Sequence, residues 1–167
     1  MKTQARLFAR FLDDLPQGKV EWIGVRPARK TPMIIHDRVE AIAGLGLQGD
    51  RRCEGSAGSA RQITIISVEY LQIIAQLLQK EKIDPAILRR NIVVSGINLT
   101  ALRHQRFTMG DVIIEASALC HPCSRMNAVL GKNGVAAMLG HGGLCAKIIH
   151  GGSISVGDNV THIGPIE

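Results

Sequence analysis

The sequence predicts a mainly β domain: a small closed or partly open β-barrel with a few short inserted helices. Three observations lead there. Apolar residues make up 46% of the chain but aromatic ones only 3%, and the Ile and Val that supply much of this content favour pleated, half-buried surfaces. Short β-branched runs recur along the chain, punctuated by glycine turns drawn from 18 Gly. The regular strand and helix alternation of a parallel, doubly wound sheet is missing. With 167 residues the chain fits one domain that buries a core without staples. The expected division is an extension over 1–18, carrying a short helix, and a single barrel domain over 19–167.

Element by element, Leu7, Phe8, Phe11 and Leu12 have the spacing of a short amphipathic helix ahead of the turn at Pro16-Gln17-Gly18. Strand-like runs cover 20–25 and 33–43, the second leading into the glycine-rich turn 44–50. A polar loop over 51–60 precedes a strand at 62–66. Ser67 then reads as the N-cap of a helix reaching about residue 79, with Tyr70, Leu71, Ile74, Leu77 and Leu78 on its core face. Asp84-Pro85 places a capping residue before proline at the first helical position, starting a short helix to about residue 90. Strands are expected at 91–94, 107–109 and 112–118, short helices at 124–130 and 134–139, and strands again at 144–149, 154–156 and 159–162.

The formal charge is +6, from 20 Lys plus Arg against 14 Asp plus Glu. Most of these cations are Arg, whose planar fork matches phosphates and carboxylates, so an anionic small-molecule ligand is expected. The basic residues are scattered and few aromatics interleave them, which argues against a nucleic-acid surface. No apolar run approaches the ~20 residues that span a bilayer, and the first ten residues lack the pattern of a secretory signal. The expected setting is the cytoplasm, away from membranes. Cys53, Cys120, Cys123 and Cys145 are there expected as thiols.

The segment Cys120-His121-Pro122-Cys123-Ser124-Arg125 concentrates the candidate chemistry, and three readings compete. A redox pair of Cys120 and Cys123 wants a thioredoxin-like βαβ unit, which the surrounding pattern does not supply. A structural zinc site would join Cys120 and Cys123 to His141 and Cys145, a spacing that supports a non-enzymatic, zinc-stabilised binding module. A single reactive Cys123 is favoured by the helix start that follows it and by Arg125, both of which stabilise a thiolate. His121 points away from Cys123 if the chain is extended there. Elsewhere, the glycines at 44, 46 and 49 mark a tight turn rather than a dinucleotide loop, because no helix pattern follows. Arg51, Arg61, Arg90 and Asn91 lie at the ends of elements, where a scaffold presents binding groups.

Taken in order, Gly44-Leu45-Gly46-Leu47-Gln48-Gly49-Asp50-Arg51, the run from Arg61-Gln62 to Ser67, Arg89-Arg90-Asn91-Ile92-Val93-Val94, the stretch from Leu102 through Gly110-Asp111, Cys120 to Met126, and Gly151-Gly152 with Val156-Gly157-Asp158 resemble the MOSC domain, named for the C-terminal domain of molybdenum cofactor sulfurase. The resemblance covers about residues 20–163.

It implies a β-barrel in which Cys123 is both the catalytic thiolate and the ligand of a metal, the molybdenum of a pterin cofactor, or else carries sulfur. Asp50, Arg51, Arg61, Arg90, Asn91 and Arg125 are the candidate cofactor-binding residues. As an enzyme the chain would be a molybdenum-cofactor-dependent oxidoreductase, with reduction of N-hydroxylated compounds as one outcome, or a sulfur transferase. The partners implied are a small-molecule substrate or sulfur donor and an electron-transfer partner. The companion barrel and ferredoxin domains of larger relatives have no counterpart in these residues, so a homo-oligomer or another partner is expected to help enclose the cofactor.

Overall fold

The computed structural model describes residues 8–166. In chain order the strands are β1 (Gly18–Val25), β2 (Ile34–His36), β3 (Arg38–Ile42), β4 (Gly46–Leu47), β5 (Ile63–Ser67), β6 (Ile92–Ser95), β7 (Gln105–Met109), β8 (Val112–Leu119), β9 (Leu144–His150), β10 (Gly152–Ser155) and β11 (Asn159–Pro165). The helices are α1 (Val68–Leu77), α2 (Pro85–Leu88), α3 (Arg125–Leu130) and α4 (Gly134–Met138). Of the expected N-terminal helix, Leu7 lies outside the described residues, Phe8 and Ala9 are helical, and turns follow over 10–14.

Seven strands run in the order β11-β7-β8-β9-β5-β6-β1, and pairing of β11 with β1, Gly18 opposite Val160, closes them into a barrel. Closure leaves no free edge among these strands. β5 and β6 are parallel because the chain between them passes through α1 and α2, a crossover that a hairpin turn cannot replace. β2 hangs on β1, and β10-β3-β4 form a separate small sheet. The single strand expected over 33–43 is therefore two. It breaks at Asp37, and the halves join different sheets.

The barrel interior is filled by alternating apolar side chains such as Phe107, Ile23, Ile65 and Ile114, with Leu102 added from the turn before β7. A second cluster, with Ile66, Ile74, Leu88, Val93, Met126 and Met138, lies between the outside of β5 and β6 and the helices. β5 is thus buried on both faces, which is why its sequence, Ile-Thr-Ile-Ile-Ser, does not alternate. Each fully buried Ile or Leu contributes about 1.5–3 kcal/mol.

Local signals set the helix ends. Ser67 Oγ accepts from the Tyr70 N–H at 3.1 Å, and Asp84 Oδ1 accepts from the Ala86 N–H at 2.9 Å. The stops come earlier than expected because Gln79 and Arg89 take left-handed backbone, with φ of 54° and 58°.

Candidate functional site

Strand register gathers distant segments on one part of the wall. Ile65 in β5 pairs with Ile92 at the start of β6 and with Leu144 at the start of β9, and Leu144 also pairs with Leu119 at the end of β8. Arg90-Asn91, Gly142-Gly143 and Cys120, which flank those strand ends, therefore converge.

Asp50 and Asn91 form a buried polar hub. The Asp50 carboxylate accepts from the Arg26 N–H at 2.9 Å, the Arg52 N–H at 3.0 Å and Asn91 Nδ2 at 3.0 Å. Asn91 Nδ2 also donates to the Gly24 carbonyl at 3.2 Å, while its Oδ1 accepts from Thr64 N–H and Oγ–H, both at 3.1 Å. Asp50 caps the 3-10 turn Arg51–Glu54, an element the expected loop over 51–60 did not include. Every polar side-chain atom of this pair is engaged within the chain. Their direct effect is to hold β1, β5, β6 and the Arg51 turn in fixed relation.

Arg90 points the other way from Asn91, as neighbours on extended chain do. Its Nε donates to the Gly142 carbonyl and one Nη to the Leu88 carbonyl, each at 2.9 Å. Its Nη2 is buried without a partner. Burial lowers the pKa of this guanidinium, an effect opposed by nearby Cys120 and Cys145 and by Cys123. The Arg61 side chain reaches the same place, Nη2 lying 3.6 Å from Cys120 Sγ. A hydrogen bond from Cys145, helped by Arg90 and Arg61 against the opposing effect of burial, holds the Cys120 thiol down at about 6. The same bond pushes Cys145 well above its ordinary value.

Cys123 is exposed in the segment between β8 and α3. Its carbonyl accepts from the Met126 N–H at 2.9 Å. α3 spans six residues and Ser124 makes no side-chain cap bond, so the helix start expected to favour a Cys123 thiolate supplies little field.

Arg125 lies two positions on, and it lines a cavity of about 270 Å³ together with Arg26, Arg29, Lys30, Arg51 and Arg89. All six of those side chains are cations. Desolvation lowers Arg26 to about 10, with repulsion from Arg89, then Arg51 and Arg52, adding to it and Asp50 opposing it. Arg26 and Arg51 each keep a buried Nε without a hydrogen-bond partner. Like charges held this close favour an anion that relieves their repulsion and takes up the free donors.

Of the residues expected at the site, Arg51 and Arg125 line this cavity, Arg61 and Arg90 flank Cys120, and Asp50 and Asn91 sit within the wall. Arg26, Arg29 and Lys30 were missed, since cations in a loop carry no periodic signal, and Arg89, though part of the run Arg89-Arg90-Asn91, was not among the expected site residues. The zinc arrangement is not formed. Among the described residues no group of three or more His, Cys, Asp or Glu is placed to hold a metal ion. Cys123 is exposed while Cys120 and Cys145 are buried, and the His141 ring packs edge-on to Tyr70 with centroids 5.4 Å apart. Among the described residues, no helix is long and apolar enough to cross a membrane.

No curated protein matches the chain by sequence. Among solved structures, it is similar to YuaD from Bacillus subtilis, with a TM-score of 0.74 at 22% identity, covering 88% of this chain and 96% of that one. YiiM from Escherichia coli gives a TM-score of 0.68 at 18% identity, over 89% of this chain and 71% of that one. YiiM from Geobacillus stearothermophilus gives 0.69 at 14% identity, over 89% and 75%. These likenesses support the fold: a mainly β, closed barrel with short helices. The sequence profile of the MOSC domain matches residues 50–161, and with two thirds of its length so matched, the chain belongs to the MOSC domain family.

Proposed function

We propose that this protein binds a phosphorylated pterin molybdenum cofactor, with Cys123 as the thiolate ligand and the cationic cavity as the seat of the phosphate. The observation that carries this reading is the cavity lined by six cations, one of them Arg125, two residues from exposed Cys123. The unpartnered Nε atoms of Arg26 and Arg51 fit a phosphate, which brings acceptor oxygens and negative charge. The thiolate of Cys123 is a soft donor suited to a sulfur-rich molybdenum centre. When bound, the cofactor would supply two-electron and oxygen-atom chemistry that no side chain provides. The chain's own part is to hold the anion through Arg26, Arg51 and Arg125 and to present Cys123. Electrons would come from a partner, and reduction of N-hydroxylated compounds is the reaction to assay first.

A persulfide carrier needs an accessible thiolate but no anion cavity, so the cavity favours the cofactor reading. Protein from a molybdenum-replete host is expected to carry molybdenum and fluorescent pterin in equal amounts. Cys123→Ser should lose the molybdenum, and Arg51→Ala with Arg125→Ala should lose the pterin. Wild-type protein with neither group, and with sulfane sulfur on Cys123 by intact mass, would replace the proposal with the carrier.

A further inference from the structure

Cys120 and Cys145 have no role in the ligand reading, yet their setting is built. Ala118 pairs with Cys145, Leu119 with Leu144, and the Cys120 N–H donates to the Gly143 carbonyl at 2.8 Å. Alternate residues share a face of a strand, so Cys120 lies diagonal to Cys145 on one face, within side-chain reach. Arg61 Nη2 lies 3.6 Å from Cys120 Sγ. Arg90, only 4% exposed, aims its unpartnered Nη2 at the same segment. A Cβ at Gly142 would collide with the Cys120 carbonyl oxygen and stand 3.6 Å from that Nη2, which shows how tightly Arg90 and Cys120 share the space. Cys53 has no such surroundings, since burial, Asp50 and Glu54 all push its thiol up.

We propose that Cys120 and Cys145 are a hydroperoxide-oxidisable pair that closes reversibly to a disulfide, independently of Cys123. The Cys120 thiolate attacks one oxygen of hydrogen peroxide. An S–O bond forms, the O–O bond breaks, and hydroxide leaves and takes a proton to become water. Arg90 Nη2 is free to donate to that departing oxygen. Cys145 then attacks the Cys120 sulfur, forming the S–S bond, and its proton leaves with the sulfenic oxygen as a second water. Together the two sulfurs lose two electrons and the peroxide gains them. A dithiol reductant returns the pair to thiols by exchange.

Access and motion both fall on the Cys120 side. Cys120 is 2% exposed, but the side chain touching its sulfur belongs to Arg61, an exposed residue. A rotamer change there opens a path for a molecule little larger than water. Diagonal partners stand roughly 7–8 Å apart between Cα atoms, whereas disulfides span up to about 6.8 Å, so closure needs a shift of roughly 1 Å. Cys145 is held inside β9, while residues 120–123 have no regular structure. The loop that carries Cys123 is therefore the part that moves.

The experiment treats reduced full-length protein with equimolar hydrogen peroxide, alkylates what remains, and maps the cysteines by mass. The expected result is loss of two hydrogens, reversed by dithiothreitol, and a Cys120–Cys145 linked peptide, seen equally in Cys123→Ala. Cys145→Ser should stop at a sulfenic acid on Cys120 that dimedone traps. Oxidation confined to Cys123 or Cys53, or a Cys120–Cys123 link in place of the expected one, would overturn the proposal. Neither outcome bears on whether the cationic cavity binds a cofactor.

Discussion

Replacing Asp50 with Ala separates a scaffold role from a ligand role. The substitution takes the acceptor from three donors at once, the Arg26 N–H at 2.9 Å, the Arg52 N–H at 3.0 Å and Asn91 Nδ2 at 3.0 Å. The residue is 4% exposed, so water does not take its place without opening the wall. A buried donor left unsatisfied costs about 1–3 kcal/mol. Two of the three belong to turns, where some solvent can enter, so the lower end applies to each and the sum is about 3 kcal/mol. At about 2–4 °C per kcal/mol for a chain of this size, calorimetry should show Tm falling by about 6–12 °C. Urea titration should give a lower midpoint with an unchanged slope. Asp50 also offsets the positive charge felt by Arg26, so the folded variant, assayed in the cold, should bind pyrophosphate at least as well as the parent. A stability loss under about 1 kcal/mol together with abolished pyrophosphate binding would refute this reasoning and place Asp50 among the groups that contact the ligand.

Arg51→Ala and Arg125→Ala should each weaken pyrophosphate binding about tenfold, the loss of one charged hydrogen bond of about 1.5 kcal/mol, with Tm unchanged; calorimetric titration at two salt concentrations checks both. The thiol pair makes stability depend on pH in a definite direction: from pH 6 to 9 the unfolded chain holds the Cys120 proton that the native one has released, so stability rises, by at most about 1.4 kcal/mol per pH unit. Above pH 9 the native chain keeps the Cys145 proton that the unfolded one loses, so stability falls; Cys145→Ala should flatten both limbs of a denaturant series. Gly143→Ala should cost about 3 kcal/mol or more, because φ there is +88° and the added Cβ meets the Ile65 carbonyl; a melt within 2 °C of the parent, less than about 1 kcal/mol, would contradict it.

What the sequence made legible was what neighbouring residues determine. Ser67 and Asp84-Pro85 announce helix starts because the capping oxygen and the donors it serves lie within three positions. The break at Asp37 was hidden because Ile34, His36 and the run after Arg38 continue one strand-like pattern, while the choice between β1 and β10 as partner is made by tertiary pairing. Barrel closure is likewise invisible locally, since β1 and β11 stand at opposite ends of the chain. Arg51 and Arg125, which line the cationic cavity, lie within the ordered motifs that carry the family resemblance. Arg26, Arg29 and Lys30 lie on a loop whose sequence gives no reason to place them beside Arg89. The sequence left open whether Cys120 acts beside Cys123, because its neighbours Cys145, Arg90 and Arg61 are far off in sequence, Arg61 by 59 residues.

The adjacent pair Arg90-Asn91 sends one side chain into the polar hub around Asp50 and the other toward the thiols. Extended backbone sends successive side chains to opposite sides. Asn91 therefore ties into Asp50, whose carboxylate steadies the main chain at Arg52 and at Arg26, which lines the cationic cavity, while Arg90 turns toward Gly142 and the thiols. A cation next to the cavity would add to the repulsion that, after desolvation, lowers the Arg26 pKa. Directed instead at Cys120, the same cation is compensated by a thiolate and sustains its acidity. The burial of Arg90 is tolerable for the same reason. Two carbonyls and a sulfur anion answer most of its charge, and the unpartnered Nη2 is the group a small polar oxidant would find.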